Sequence, residues 1–171
     1  MPAGVKRPQL IAVDSNVLLD RAEDHELVLD AFDTIRRRLP VPEFILTPTV
    51  LEELVLKADD GDTARDRRLA RKVLANLLLW RVRPMNFIPV GRGIVAEIAR
   101  KIRRAELIPD DEVNDSLIVA EAALVLATLL LSSDAHIKDL DYPRLKILLE
   151  ASDVTAPLIA SPAKIVREFF A

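Results

Sequence analysis

Cysteine is absent from this chain of 171 residues, which removes disulfides, thiolate nucleophiles and cysteine-ligated zinc from its chemistry. The absence fits a reducing cytoplasm, the expected location. Histidine occurs only at His25 and His136. Without a suitable serine motif neither builds a Ser-His-Asp triad, so surface or packing roles are expected for both. Aromatic residues are scarce, at 4%, and leave few platforms on which single-stranded bases stack, so sequence-specific reading of bases is not expected. Long apolar runs are missing too. The longest, Leu117 to Leu131, is interrupted by Glu121 and falls short of the roughly 20 residues that cross a bilayer, so no membrane partner is expected. The early run Leu10 to Val13 is cut off by Asp14, too short for a secretory core.

What the chain has in quantity is apolar and charged residues, 50% and 30% of the total, with a net charge of only -3. One buried core is within reach at this length, and no repeat, linker or low-complexity stretch divides the sequence, so residues 1–171 are expected to form a single domain. Gln9 to Val13 lacks helical period and delivers Asp14-Ser15-Asn16, as a buried strand would. Leu27, Val28, Phe32, Ile35 and Leu39 recur at helical spacing until Pro40 and Pro42. Phe44 to Leu46 is the second predicted strand. Thr47-Pro48 then opens a helix over Val50 to Lys57 with Glu52 and Glu53 in its early turns.

Gly61-Asp62 introduces a further helix through Leu69, Val73, Leu77 and Trp80, and Phe87 to Val90 reads as extended. Gly91 to Glu106 is predicted as an amphipathic helix with Ile94, Ile98 and Ile102 inward. A helix from Glu112 carries Asp115 and gives way to a strand, Leu129 to Leu131, that ends in Ser132-Ser133-Asp134. Leu158 to Ala160 precedes Ser161-Pro162 and a closing helix through Ile165, Val166 and Phe169. Strands alternating with helices predict an α/β three-layer sandwich, with a mostly parallel sheet of about five short strands flanked by helices.

In such a sheet ligands gather beyond the carboxyl ends of the strands. Asp14 and Asp134 occupy those ends, and Glu53 and Asp115 fall in or near the first turns of helices that follow such loops. Alone, Asp14 or Asp134 would read as a cap or turn residue, Asp115 as a cap and Glu53 as a solvated helix position. Together they point to one acidic site. Carboxylates about 4 Å apart repel by roughly 4 kcal/mol per pair at an effective dielectric near 20. No lysine or arginine neighbours Asp14, Asp115 or Asp134 in sequence, so a hard divalent cation, Mg2+ or Mn2+, is the expected partner of this all-oxygen donor set.

The segment Ala12 to Leu19 resembles the opening strand of PIN domains, a family that includes the VapC-type ribonucleases. Pro48-Thr49-Val50-Leu51-Glu52-Glu53-Leu54 resembles the second family motif, whose glutamate directly precedes a leucine, which selects Glu53 over Glu52. Asn114 to Ala122 resembles the third motif, Leu131-Ser132-Ser133-Asp134 the fourth, and Ile159-Ala160-Ser161-Pro162 the final strand and helix. Two departures from the pattern stand out. Ser132 stands where threonine is commoner, and Ala135-His136-Ile137 replaces a polar-then-aromatic continuation.

The resemblance implies a metal-dependent ribonuclease acting on RNA, often the toxin of a toxin-antitoxin pair, with an antitoxin protein as partner and a homodimer as assembly. In that mechanism Asp14, Asp115 and Asp134 hold one or two ions, Glu53 binds or orients the second ion or its water, and Asn16 and Ser132 orient the carboxylates. Asp111, four residues before Asp115, is a possible extra ligand if both share a helical face.

Other features compete for a role. Basic clusters at Arg36 to Arg38, Arg65 to Lys72, Arg81 to Arg83 and Arg100 to Arg104 could meet a phosphate backbone if the fold gathers them. Gly91-Arg92-Gly93 imitates a dinucleotide fingerprint, but no second strand bearing an acid follows it. A catalytically silent module that binds RNA or protein would share the fold. A phosphoacceptor receiver would need an acidic pair on the first strand, where Asp14 stands alone.

Overall fold

Five short apolar runs set the architecture. The computed structural model describes residues 7–86 and 89–170. Among them, the strands β1 (Gln9–Val13), β2 (Pro42–Leu46), β3 (Val82–Pro84), β4 (Leu129–Leu131) and β5 (Leu158–Ala160) form one sheet. Its order is β3-β2-β1-β4-β5 and every pairing is parallel. The central strands are buried on both faces, with Ile11, Ile45, Leu130 and Leu131 at most 1% exposed, which is why they read as continuous apolar runs rather than alternating ones. A receiver-type sheet has the order 2-1-3-4-5, so the strand order separates this chain from that reading.

The helices are α1 (Ser15–Ala22), α2 (Glu26–Arg38), α3 (Pro48–Asp60), α4 (Ala64–Asn76), α5 (Pro89–Arg104), α6 (Val113–Leu124), α7 (Ala135–Lys138), α8 (Tyr142–Glu150) and α9 (Pro162–Phe170). They flank the sheet in the expected three-layer arrangement. α2 packs on α9, α3 on α4 and α6, and α5 on α6. No helix among the described residues is long and apolar enough to cross a membrane.

Several elements differ from expectation. The third strand is Val82–Pro84, not Phe87 to Val90; Phe87 and Ile88 lie outside the described residues, and Pro89 and Val90 already belong to α5. At the sheet edge a strand needs only one inward residue, and Val82 alone is buried, so no apolar run announces it. α4 starts at Ala64, behind a Thr63–Asp66 capping box, and ends before Leu77 and Trp80. Left-handed Arg81, at φ 55°, then turns the chain into β3. Ile94, expected inward, is 47% exposed, whereas Ile98 and Ile102 are buried. Helices α1, α7 and α8 were not anticipated. The Gly91-Arg92-Gly93 segment lies inside α5, so no glycine turn is there to cradle a phosphate.

The strand order reverses between β1 and β4, so their carboxyl ends flank the crevice where an open α/β sheet binds its ligands. Asp14 follows β1 and donates its amide to the Leu131 carbonyl, while Ser132 follows β4 and donates to Ala160. The ladder thus runs one residue past each strand and places Asp14 beside Ser132.

Candidate metal centre

Asp14 is the most deeply placed acid, 2% exposed. It is the N-cap of α1, so its cap role and its place at the strand end coincide. Oδ1 accepts from the Ser15 amide at 2.7 Å, and Oδ2 accepts from Ser132 Oγ at 2.6 Å and from Asn16 Nδ2 at 3.1 Å. Asn16 in turn accepts from the Ser133 amide at 3.2 Å. Burial pushes the Asp14 carboxyl up to about 6, helped by the charges of Glu53 and Asp134 and opposed by the Ser132 and Ser15 bonds.

Glu53 reaches the same edge from α3. Ser15 Oγ donates to Glu53 Oε2 at 2.8 Å, and Asn114 Nδ2 to Oε1 at 3.0 Å. Glu52 is exposed and turns to a separate groove shared with Asn86, Arg92 and Leu117. Asp134 is the N-cap of α7, with Oδ1 accepting from the His136 amide at 2.8 Å, and its own amide donates to Ser132 Oγ at 3.1 Å. Ser132 is therefore the hinge between the two strand ends, donating to Asp14 and accepting from Asp134.

Asp115 lies in the first turn of α6, whose N-cap is Glu112 rather than Asp115. Its carboxyl is pushed up to about 6 by burial and by the charges of Asp134, Asp14 and Glu112, against a hydrogen bond with His136. Asp14 feels Glu53 and Asp134, and Asp115 feels Asp134 and Asp14, so the structure places the four carboxylates along one edge of the sheet. Asp111 is different. It is exposed and sits in the turn before Val113, where α6 begins, so it does not share a helical face with Asp115; Glu112 is the acid that approaches Asp115.

Four contributors escaped the sequence reading. His136, expected on the surface or in packing, turns Nδ1 toward Asp115 at 3.3 Å, Glu112 at 3.6 Å and Asp134 at 3.7 Å. Ser15 and Asn114 hold Glu53, and only their adjacency to Asp14 and Asp115 in sequence could have flagged them. Glu121, read as an interruption of an apolar run, is 4% exposed and accepts from the Thr49 amide with both oxygens at 3.2 Å and from Thr49 Oγ1 at 2.7 Å. Thr47 is the N-cap of α3 but makes no side-chain cap bond. Glu121 supplies that function from α6 and fixes the helix carrying Glu53. Burial pushes its carboxyl up, against bonds from the threonines.

A donor set made of carboxylate oxygens, two of them holding protons more tightly because of burial and neighbouring like charges, fits a hard divalent ion. Beside Glu53 a cleft of about 410 Å³ runs past Ser15 and Lys57 to Asp60, Asp62 and Asp66. Of the basic clusters, the one from Arg65 to Lys72 borders this cleft, where Arg67 donates to the Gly61 carbonyl. Arg36 to Arg38 end α2 where it feeds the start of β2, and Arg36 donates to the Trp80 carbonyl at 2.9 Å. Arg65 pairs with Glu23 and Arg83 with Glu43. In the last cluster Arg103 donates to Ser116 Oγ at 2.5 Å, next to Asp115 in sequence.

An all-parallel α/β sheet with acids at the carboxyl ends of its two switch-point strands defines the class of protein. The PIN domain family model matches residues 11–142, and the chain belongs to that family. No curated protein sequence matches it. Among solved structures, VapBC2 from Rickettsia felis, bound to a DNA fragment from its promoter, is similar at TM-score 0.60 and 14% identity, over 90% of this chain and 98% of that one. VapBC-1 from nontypeable Haemophilus influenzae is similar at TM-score 0.57 and 14% identity, over 91% and 100%. FitAcB from Neisseria gonorrhoeae is similar at TM-score 0.53 and 17% identity, over 89% and 97%. At these identities the likeness is one of fold.

Proposed function

We propose that this protein is a divalent-metal-dependent endoribonuclease that hydrolyses phosphodiester bonds of RNA, with Asp14, Glu53, Asp115 and Asp134 as ligands of Mg2+ or Mn2+. The observation that carries this reading is the placement of these carboxylates at one sheet edge, where burial, with their like charges adding to it, raises Asp14 and Asp115 to about 6 and where, among the described residues, the ion pairs involve only His136. When bound, the ion supplies a water of lowered pKa and neutralises charge on the attacked phosphate.

The protein's own residues prepare that place. Ser132, Asn16 and the Ser15 amide fix both oxygens of Asp14. Ser15 and Asn114 fix both oxygens of Glu53. Glu121 anchors the first turn of the helix that carries Glu53, and such orienting contacts typically matter 10- to 100-fold. The reading takes residues 1–171 as a single domain, working in the cytoplasm as a homodimer with a cognate antitoxin protein; the VapBC and FitAB assemblies among the structural relatives support that partner.

The test is cleavage of single-stranded RNA with Mg2+ or Mn2+, with chelator, and with Asp115→Asn. Cleavage should vanish with chelator and fall about 100-fold or more in the variant, since a ligand should matter at least as much as the residues that orient it. Metal uptake without cleavage would instead assign the chain as a silent RNA- or protein-binding module.

A further inference from the structure

We propose that Glu112, Asp115 and His136 form a mixed nitrogen–oxygen site that takes a transition-metal dication in preference to Mg2+, on the flank of the four-carboxylate centre. One ligand atom from each of the three lies within 4.8 Å of the other two. Ligands about 2.1 Å from an ion stand about 3 Å apart when adjacent and about 4 Å apart when opposite, so a small inward movement completes the geometry. Imidazole nitrogen is the donor that shifts a carboxylate site from magnesium toward cobalt, nickel or zinc.

The backbone prepares the histidine for this role. Asp134 accepts from the His136 amide at 2.8 Å, which fixes the start of α7 and brings Nδ1 to 3.3 Å from Asp115, 3.6 Å from Glu112 and 3.7 Å from Asp134. A second group of the same composition, Asp20, Glu23 and His25, provides the contrast. There Glu23 is already paired with Arg65, so one of the two acids has a cation of its own. Among the described residues the ion pairs of Glu112 and Asp115 involve only the histidine, which leaves their charge for a metal.

The inference shares Asp115 with the proposed nuclease centre, and the experiment separates the two. The full untagged chain is titrated by calorimetry with Co2+ and, separately, with Mg2+, as wild type, His136→Ala, His136→Asp and Asp14→Asn. His136→Ala should weaken Co2+ binding about 10-fold or more and change Mg2+ binding less than about threefold. His136→Asp should move preference toward Mg2+. In the Asp14→Asn background, removal of His136 should still weaken Co2+. Co2+ affinity within about twofold of wild type in His136→Ala would overturn the site and leave His136 a simple charge partner. If RNA cleavage fails in every protein while the Co2+ loss persists, the nuclease reading falls and this site stands.

Discussion

Two regions of the molecule hold charge near the sheet in opposite ways. At the carboxyl edge stand Asp14, Glu53, Asp115 and Asp134, and burial together with the neighbouring like charges leaves Asp14 and Asp115 harder to ionise than in water. Where α2 feeds β2 and the chain turns into β3, two arginines lie over apolar rings instead. Arg21 stands 4.4 Å from the Phe32 ring centroid and 4.9 Å from Trp80, Arg36 stands 5.2 Å from Phe44, and Phe32 stacks on Phe44 at 4.5 Å. Guanidinium tolerates such burial because its faces are weakly hydrated and attracted to aromatic rings. The arginine corner sets its charge against aromatic faces, whereas the acidic edge sets like charges beside one another.

Removing the ring that anchors the corner should break the comparison most severely. Phe32→Ala, at a fully buried position, should lower unfolding free energy by about 3–5 kcal/mol in denaturant titration. A loss below about 1 kcal/mol would mean that the corner is not part of the stabilising core.

The acidic edge should reveal itself through pH. Below about pH 4 folded and unfolded chains both hold these protons, and above about pH 6 both release them. Between those values the folded chain binds more protons, because the Asp14 carboxyl has moved from 3.8 to about 6. Stability of the metal-free protein should therefore fall as pH rises through that window, by up to about 3 kcal/mol for Asp14. Saturating Mn2+ should reverse the loss at pH 7. Asp115, raised to about 6 as well, acts in the same direction. Metal-free stability that rises steadily from pH 4 to 7 would contradict the burial of these acids beside like charges.

Glu121 sharpens the contrast, since it is a buried acid whose partners are supplied by the protein. Glu121→Ala should cost about 1–3 kcal/mol by leaving the Thr49 amide and hydroxyl without their acceptor. Glu121→Gln should cost less, as one acceptor oxygen remains. Equal losses in the two variants would show that packing, not capping, is what the side chain provides.

The sheet and the four acids were legible because each depends on a local signal: a short apolar run for a buried strand, and a polar residue where the run stops. β3 was misplaced because an edge strand with one buried residue, Val82, carries no such run, while the segment near Phe87 imitates one. α1 went unseen because Asp14-Ser15-Asn16 reads as a turn, and the same aspartate that ends the strand caps the helix. Asp111 was offered on a helical spacing that the late start of α6 removes. Glu121, Asn114 and His136 act across separations of 72, 61 and 21 residues, and pairings of that length are fixed only by the fold.

Calorimetric titration of the full chain with Mn2+ near pH 7.5 tests the central claim most directly. Uptake that is lost in both Asp14→Asn and Asp115→Asn is the predicted result, because acids 101 positions apart in the sequence then serve one ion. No uptake by the wild type, or uptake unchanged in either variant, would contradict it.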